Sequence, residues 1–128
     1  MREPVPPQRY NRKQKGAAAE AAAVLYLTSL GYVILDQNWR CRSGELDIVA
    51  QHEDRLVIIE VRSRGGSLLQ GTPAESVDSR KIRQVRRTAQ LYILSKGQEA
   101  REVVFDVITV LLNDDLSITS LGHIREAF

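Results

Sequence analysis

The sequence predicts a single α/β domain, and three observations carry that prediction. Its 128 residues suffice to enclose one core. Two helical stretches are interleaved with runs of β-branched residues, in the order helix, three strands, helix, strand, strand. Neither an internal repeat nor a low-complexity segment divides the chain. Hydrophobic residues make up 43% and charged residues 27%, the balance of an ordinary globular protein.

Taken in order, Met1 to about Arg12, with Pro4, Pro6 and Pro7, reads as a flexible basic arm ahead of a domain at 13–128. Lys13 to Leu30 is rich in Ala and Leu and predicts a helix, with Gly31 where a C-terminal cap belongs. Tyr32 to about Trp39 predicts a strand. Gly44 opens a second apolar run, Leu46 to Ala50, and Leu56 to Val61 forms a third. Gln51 to Arg55 between them reads as a tight turn, which makes the pair an antiparallel hairpin. Arg64 to Thr72, with three glycines, reads as a loop. Ser79 to Leu94 predicts the second helix, capped by Asp78 or Ser79 and ended by Gly97. Glu102 to Leu112 is a long β-branched strand, Asn113 to Asp115 a turn, and Leu116 to Ile124 an edge strand.

Several function classes drop out early. A lone cysteine, Cys41, excludes an internal disulfide framework or a multi-cysteine zinc site. The basic N-terminus is not followed by an apolar signal segment, and the Ala-rich run is too short and polar to span a bilayer, so a cytoplasmic protein is expected. No Ser/His/Asp or Cys/His order suggests nucleophilic catalysis. His52 and His123 have no partner at metal-ligand spacing, and Trp39 and Tyr32 read as core or rim. The net charge of +2 is uninformative, so the placement of charge matters more.

The informative residues are acids in apolar surroundings. Leu56 to Ile59 is hydrophobic on both alternating faces, as a doubly covered strand would be, and Glu60 continues it. A buried carboxylate without a partner is expensive. With a turn of two or four residues, Asp47 and Glu60 project from the same face of the hairpin, opposite or diagonal, with Glu45 and Arg62 on that face too. Like charges so placed destabilise a sheet unless a cation lies between them, and Mg²⁺ suits two carboxylates completed by water and phosphate oxygens. Glu20, Val24 and Leu27 share one helical stripe, which brings a third acid toward the sheet. Ala17, Ala19, Ala21 and Ala23 are expected to let the helix approach closely. The plainer alternative pairs Glu60 with Arg62 and leaves Glu20 in solvent. Asp106, inside Val103 to Val110, reads as structural, bonded to a neighbouring backbone or basic group.

Basic residues cluster as well. Arg80, Lys81, Arg83, Arg86 and Arg87 crowd the start of the second helix, whose buried stripe reads as Ile82, Val85, Ala89 and Tyr92. With Arg2, Arg9, Arg12, Lys13 and Lys15 of the arm, and Arg40, Arg42, Arg62 and Arg64, they suit contacts to DNA phosphates, although a charge run is equally a solvated face.

Gly44-Glu45-Leu46-Asp47, twelve residues, then Glu60-Val61-Arg62, resembles the split acidic signature of the PD-(D/E)xK nuclease superfamily. Within it the chain resembles the YraN-like family of bacterial proteins and is similar to archaeal Holliday junction resolvases. The likeness runs through Gly16 to Glu20, Leu30 to Tyr32, Asn38, Arg40, Glu60 to Arg64, Gly71, Pro73, Glu75, Lys81 and Phe105 to Val107. It implies a restriction-endonuclease-like three-layer core (α-β-β-β-α-β) with a mixed central sheet, to which the last strand is an addition. It implies Mg²⁺, with Mn²⁺ as substitute, at Asp47 and Glu60, and a supporting catalytic place for Glu20. DNA, branched or double-stranded, is the implied substrate, and Arg40, Arg42, Arg64, Arg80, Lys81, Arg83 and Arg87 are the expected contacts. Resolvases act as dimers, so a homodimer is implied too, although no dimer surface can be read in the chain. One position departs: the signature usually ends in Lys and here ends in Arg62. Arginine stays protonated and cannot be a general base, but it can brace charge on a phosphate. A catalytically weak DNA-binding module is therefore the alternative to a hydrolase, and a protein-interaction domain is a further one.

Overall fold

The computed structural model describes residues 9–65, 78–98 and 101–128. The first eight residues of the basic arm, and Gly66, Ser67, Gly71, Pro73 and Glu75, lie outside the described residues. The elements are α1 (Arg12–Ser29), β1 (Val33–Cys41), β2 (Gly44–His52), β3 (Arg55–Arg64), α2 (Ser79–Lys96), β4 (Val103–Leu112) and β5 (Ile118–Ile124), in the expected order. The strands form one sheet, β1-β2-β3-β4-β5, antiparallel throughout except for the parallel β3–β4 pair. A mixed sheet follows because α2 lies in the β3–β4 connection, and parallel neighbours need such a crossover.

The helices cover opposite faces of this sheet. Ala19, Ala23 and Leu27 of α1 pack on Ile48, Ala50, Val57, Ile59, Ile108 and Val110. Val85, Ala89 and Tyr92 of α2 pack on Leu46, Val49, Leu56 and Ile58. Consecutive residues of β3 thus belong to different clusters, as its unbroken apolar run requires, and the result is three layers. β5 lies at the edge, as expected. No helix among the described residues is long and apolar enough to cross a membrane.

The caps explain the helix limits. Asn11 accepts a bond from the Gln14 amide while Gln14 bonds back to Asn11, so α1 begins at Arg12, one residue before its expected start. Asp78 caps α2 through the Lys81 amide, and Gly97 ends it at φ 67°.

Three expectations need correction. Ala17 and Ala21 are exposed; Ala19 and Ala23, with Ala18 and Ala22 half-buried beside them, bring α1 close to the sheet. The buried stripe of α2 is Val85, Thr88, Ala89 and Tyr92, and Ile82 is only half-buried. Arg64, taken as loop, is the last residue of β3, where it pairs with Leu111 of β4.

Candidate metal and phosphate site

The β2–β3 hairpin sets the site. His52 pairs with Arg55 around the two-residue turn Glu53-Asp54, whose φ angles of 52° and 63° match the twist of a tight hairpin. From there the paired register runs to Ile48 opposite Ile59 and ends, which leaves Asp47 and Glu60 as the next residue of each strand. At that step the ladder opens. The Val61 amide donates to Oδ2 of Asp47 (2.9 Å), so a side chain takes a place that backbone holds elsewhere in the hairpin.

Strict alternation also fails here. Ile48 packs beneath α1, but both Leu46 and Val49 pack against α2, so the strand turns over at Asp47. Asn38 beside it on β1 adopts φ 51°, a left-handed conformation that asparagine tolerates. Its amide donates to Oε2 of Glu20 (3.0 Å). Glu45, expected to share the carboxylate face, instead pairs with Arg40 across β1–β2 (3.3 Å).

Glu60 is buried, with 2% of its surface exposed. Its Oε1 is buried and has no hydrogen-bond partner among the described residues. Burial and the facing Asp47 carboxylate push its pKa up from 4.5 to about 8, while Lys81 and Arg62 pull the other way. Glu20 is raised as well, chiefly by burial, with Asn38 opposing and Asp47 and Glu45 adding to the shift. Asp47 therefore stands between the two glutamates electrostatically. Among the described residues no group of three or more His, Cys, Asp or Glu side chains is set to hold a metal ion, so protein oxygens alone would not complete a cage.

Charge balance comes from an unexpected direction. Lys81, expected as a surface phosphate contact, puts Nζ at 3.9 Å from Oε2 of Glu60, and its side chain is only 35% exposed. The spacing carried the signal: Lys81, Val85, Thr88 and Tyr92 recur at helical intervals, with the lysine at the head of the buried stripe. Arg62, the plainer partner for Glu60, makes no ion pair with it, and its buried Nε has no partner among the described residues.

The other basic residues separate into three kinds. Arg42, Arg80, Arg83 and Arg87 are exposed on the β1–β2 turn and α2. Arg40 is committed to Glu45, and Arg86 stacks its guanidinium over Phe105 and Phe128. Arg62 and Arg64 line a cavity with Arg12 and Lys15 of α1.

Gly44, first residue of the acidic signature, has φ 152°, and a Cβ there would meet Gln84 Nε2 at 3.0 Å and Thr88 Oγ1 at 3.2 Å. Gln84 and Thr88 also bond Ser43, so this turn is docked onto α2 and fixes where β2 begins.

Asp106 and His123 form a second polar cluster. His123 donates from Nε2 to Oδ2 of Asp106 (2.7 Å), the Glu126 amide donates to Oδ1 (2.9 Å), and Tyr26 bonds His123 Nδ1 (2.9 Å). These bonds make Asp106 a clamp between β4, β5 and α1, the structural role expected of it. His52 stacks on Tyr32 with ring centres 3.9 Å apart. Tyr32 is core, and Trp39 packs edge-on against Tyr92, as expected.

Comparison with known proteins gives a consistent family. A relative from Persephonella marina is 42% identical over 89% of this chain and 92% of its own length. One from Moorella thermoacetica is 43% identical over 91% and 97%, and one from Clostridium tetani 44% identical over 93% and 96%. All three are called UPF0102 proteins. Residues 19–110, which span the acidic hairpin, α2 and most of β4, match the description "Uncharacterised protein family UPF0102". The chain belongs to the UPF0102 family.

Proposed function

We propose that this protein is a metal-dependent DNA endonuclease of the PD-(D/E)xK kind, with Asp47 and Glu60 as ligands of Mg²⁺ or Mn²⁺. The observation that carries the reading is Glu60, which is buried, unpartnered at Oε1 and set against a second carboxylate. Two like acids converging without a full complement of donors fit a hard divalent ion that takes its remaining ligands from water and phosphate oxygens. When bound, such an ion would polarise the scissile phosphate and acidify a water molecule.

The chain's own groups then have separable tasks. Asp47, anchored by the Val61 amide, keeps its carboxylate at the open end of the hairpin. Glu60 gives up its proton on loading, which the low accessibility of the site otherwise makes it retain. Lys81 holds Glu60 in place and offers an ammonium to a phosphate oxygen. Glu20, held by Asn38 and near enough to Asp47 to feel its charge, would orient solvent. Arg62 braces charge building on the phosphate. The exposed arginines on α2 and the β1–β2 turn supply sequence-independent backbone contacts, and the resolvase likeness favours branched DNA.

The test is cleavage of branched and linear DNA with Mg²⁺ or Mn²⁺. Asp47→Ala and Glu60→Ala are expected to lower the rate about 10³-fold or more. Activity equal to wild type in both would rule the scheme out. A second reading, a DNA-binding module without hydrolysis, is favoured by Arg62, which cannot accept a proton. Calorimetric Mn²⁺ binding that needs Glu60, with no cleavage of any DNA form, would select it.

A further inference from the structure

We propose that the cavity at the carboxyl ends of β3 and β4 is a second phosphate site, taking a phosphate of the nucleotide strand engaged at Asp47 and Glu60. The inference rests on the proposed DNA substrate and adds to it a defined position.

The cavity measures about 560 Å³ and is lined by Arg12, Lys15, Arg62, Arg64, Asn113 and Asp114, among others. Four cations meet one carboxylate there, and none of the four is in an ion pair among the described residues. The Nε atoms of Arg62 and Arg64 are buried and lack an acceptor. Guanidinium groups do not relieve such crowding by losing a proton, so the arrangement calls for an anion. α1 points to the same conclusion. Its first turn carries no acid and opens with Arg12, Lys13 and Lys15, the reverse of what a helix dipole favours. Arg12 and Lys15, three residues apart, share a face.

Position and size narrow the ligand. At roughly 3.3 Å per strand residue, Arg62 and Arg64 lie about 7 Å and 13 Å along β3 from Glu60, within reach of a neighbouring phosphate on one strand. The volume lies within the range of roughly 300–1,000 Å³ typical of ligand pockets and admits a sugar with its phosphate. Planar guanidinium forks suit phosphate oxygens, and the carboxamide of Asn113 can donate beside them.

The experiment measures DNA binding by fluorescence anisotropy across a salt series, in EDTA, with full-length protein carrying Asp47→Ala. Adding Lys15→Ala or Arg64→Ala is expected to weaken binding about 10-fold and lower the salt slope by about one. Arg64→Lys should restore part of the loss, and Lys96→Ala, at the far end of α2, should change nothing. Circular dichroism and melting check that each variant folds. A loss confined to strands bearing a terminal phosphate assigns the cavity to a phosphomonoester end; an equal loss on hairpin-closed DNA assigns it to an internal diester. Parent-like affinity and slope in both cavity variants, or a parent that binds no DNA, would overturn the proposal. Because metal and cleavage are absent from this measurement, a failure of the hydrolytic scheme leaves its outcome unaffected, and parent-like binding in both cavity variants leaves that scheme standing.

Discussion

Glu60 and Asp106 are both buried acids on the paired central strands, yet they behave as opposites. Asp106, 1% exposed, receives the Glu126 amide on one oxygen and His123 on the other. Glu60, 2% exposed, has one oxygen with no partner and a lysine 3.9 Å from the other, and it confronts Asp47. Burial is the same; satisfaction differs. A native chain rarely leaves a buried polar atom unmet, and the unmet oxygen of Glu60, set against a second carboxylate, is the observation on which the proposed metal site rests. Asp106 shows what an acid looks like when its purpose is to hold strands together.

The largest expected effect tests the clamp. Asp106→Ala strands a buried histidine and an amide and should cost about 3–5 kcal/mol in urea unfolding. A loss near zero would erase the distinction between the two acids.

A smaller effect, of opposite sign, is expected at Glu60. The folded chain holds that proton to about pH 8, whereas the ordinary value is 4.5. Between those limits the folded state binds the extra proton, so metal-free stability should fall as pH rises through the window, by at most about 1.4 kcal/mol per unit. Below it both states are protonated and the slope vanishes. Glu60→Gln should flatten the dependence and leave the variant about 1–2 kcal/mol more stable than wild type at pH 8. Thermal melts across pH 4 to 9 would read both, and an unchanged slope in the variant would assign it to another group.

The smallest change sharpens the clamp. Tyr26→Phe removes the hydroxyl bonded to His123 and should cost about 1 kcal/mol. It should leave DNA cleavage untouched, as measured by melting beside an activity assay.

Much of this was legible in the chain. The uninterrupted apolar run Leu56 to Ile59 announced a doubly covered strand, and the two-residue turn sets a register that ends one step short of Asp47 and Glu60. Capping residues fixed both helices to within a residue or two. The hidden part is of a different kind. The turnover of β2 at Asp47 leaves no mark in the apolar pattern, and the turn ahead of it docks on Gln84 and Thr88, some forty residues away. Lys81 entered the site because a lysine stem can follow an apolar stripe, which a pattern of apolar letters does not register. The cavity draws its walls from α1, β3 and the β4–β5 turn, three segments that no local spacing connects.

One small feature of the hairpin carries further than its size. The Val61 amide hydrogen is held by the carboxylate of Asp47 and not by the neighbouring backbone. A ligand that drew Oδ2 of Asp47 away from that amide would release one main-chain hydrogen to exchange with solvent. Hydrogen exchange at Val61 would then report a shift of this carboxylate, independently of any assay of cleavage.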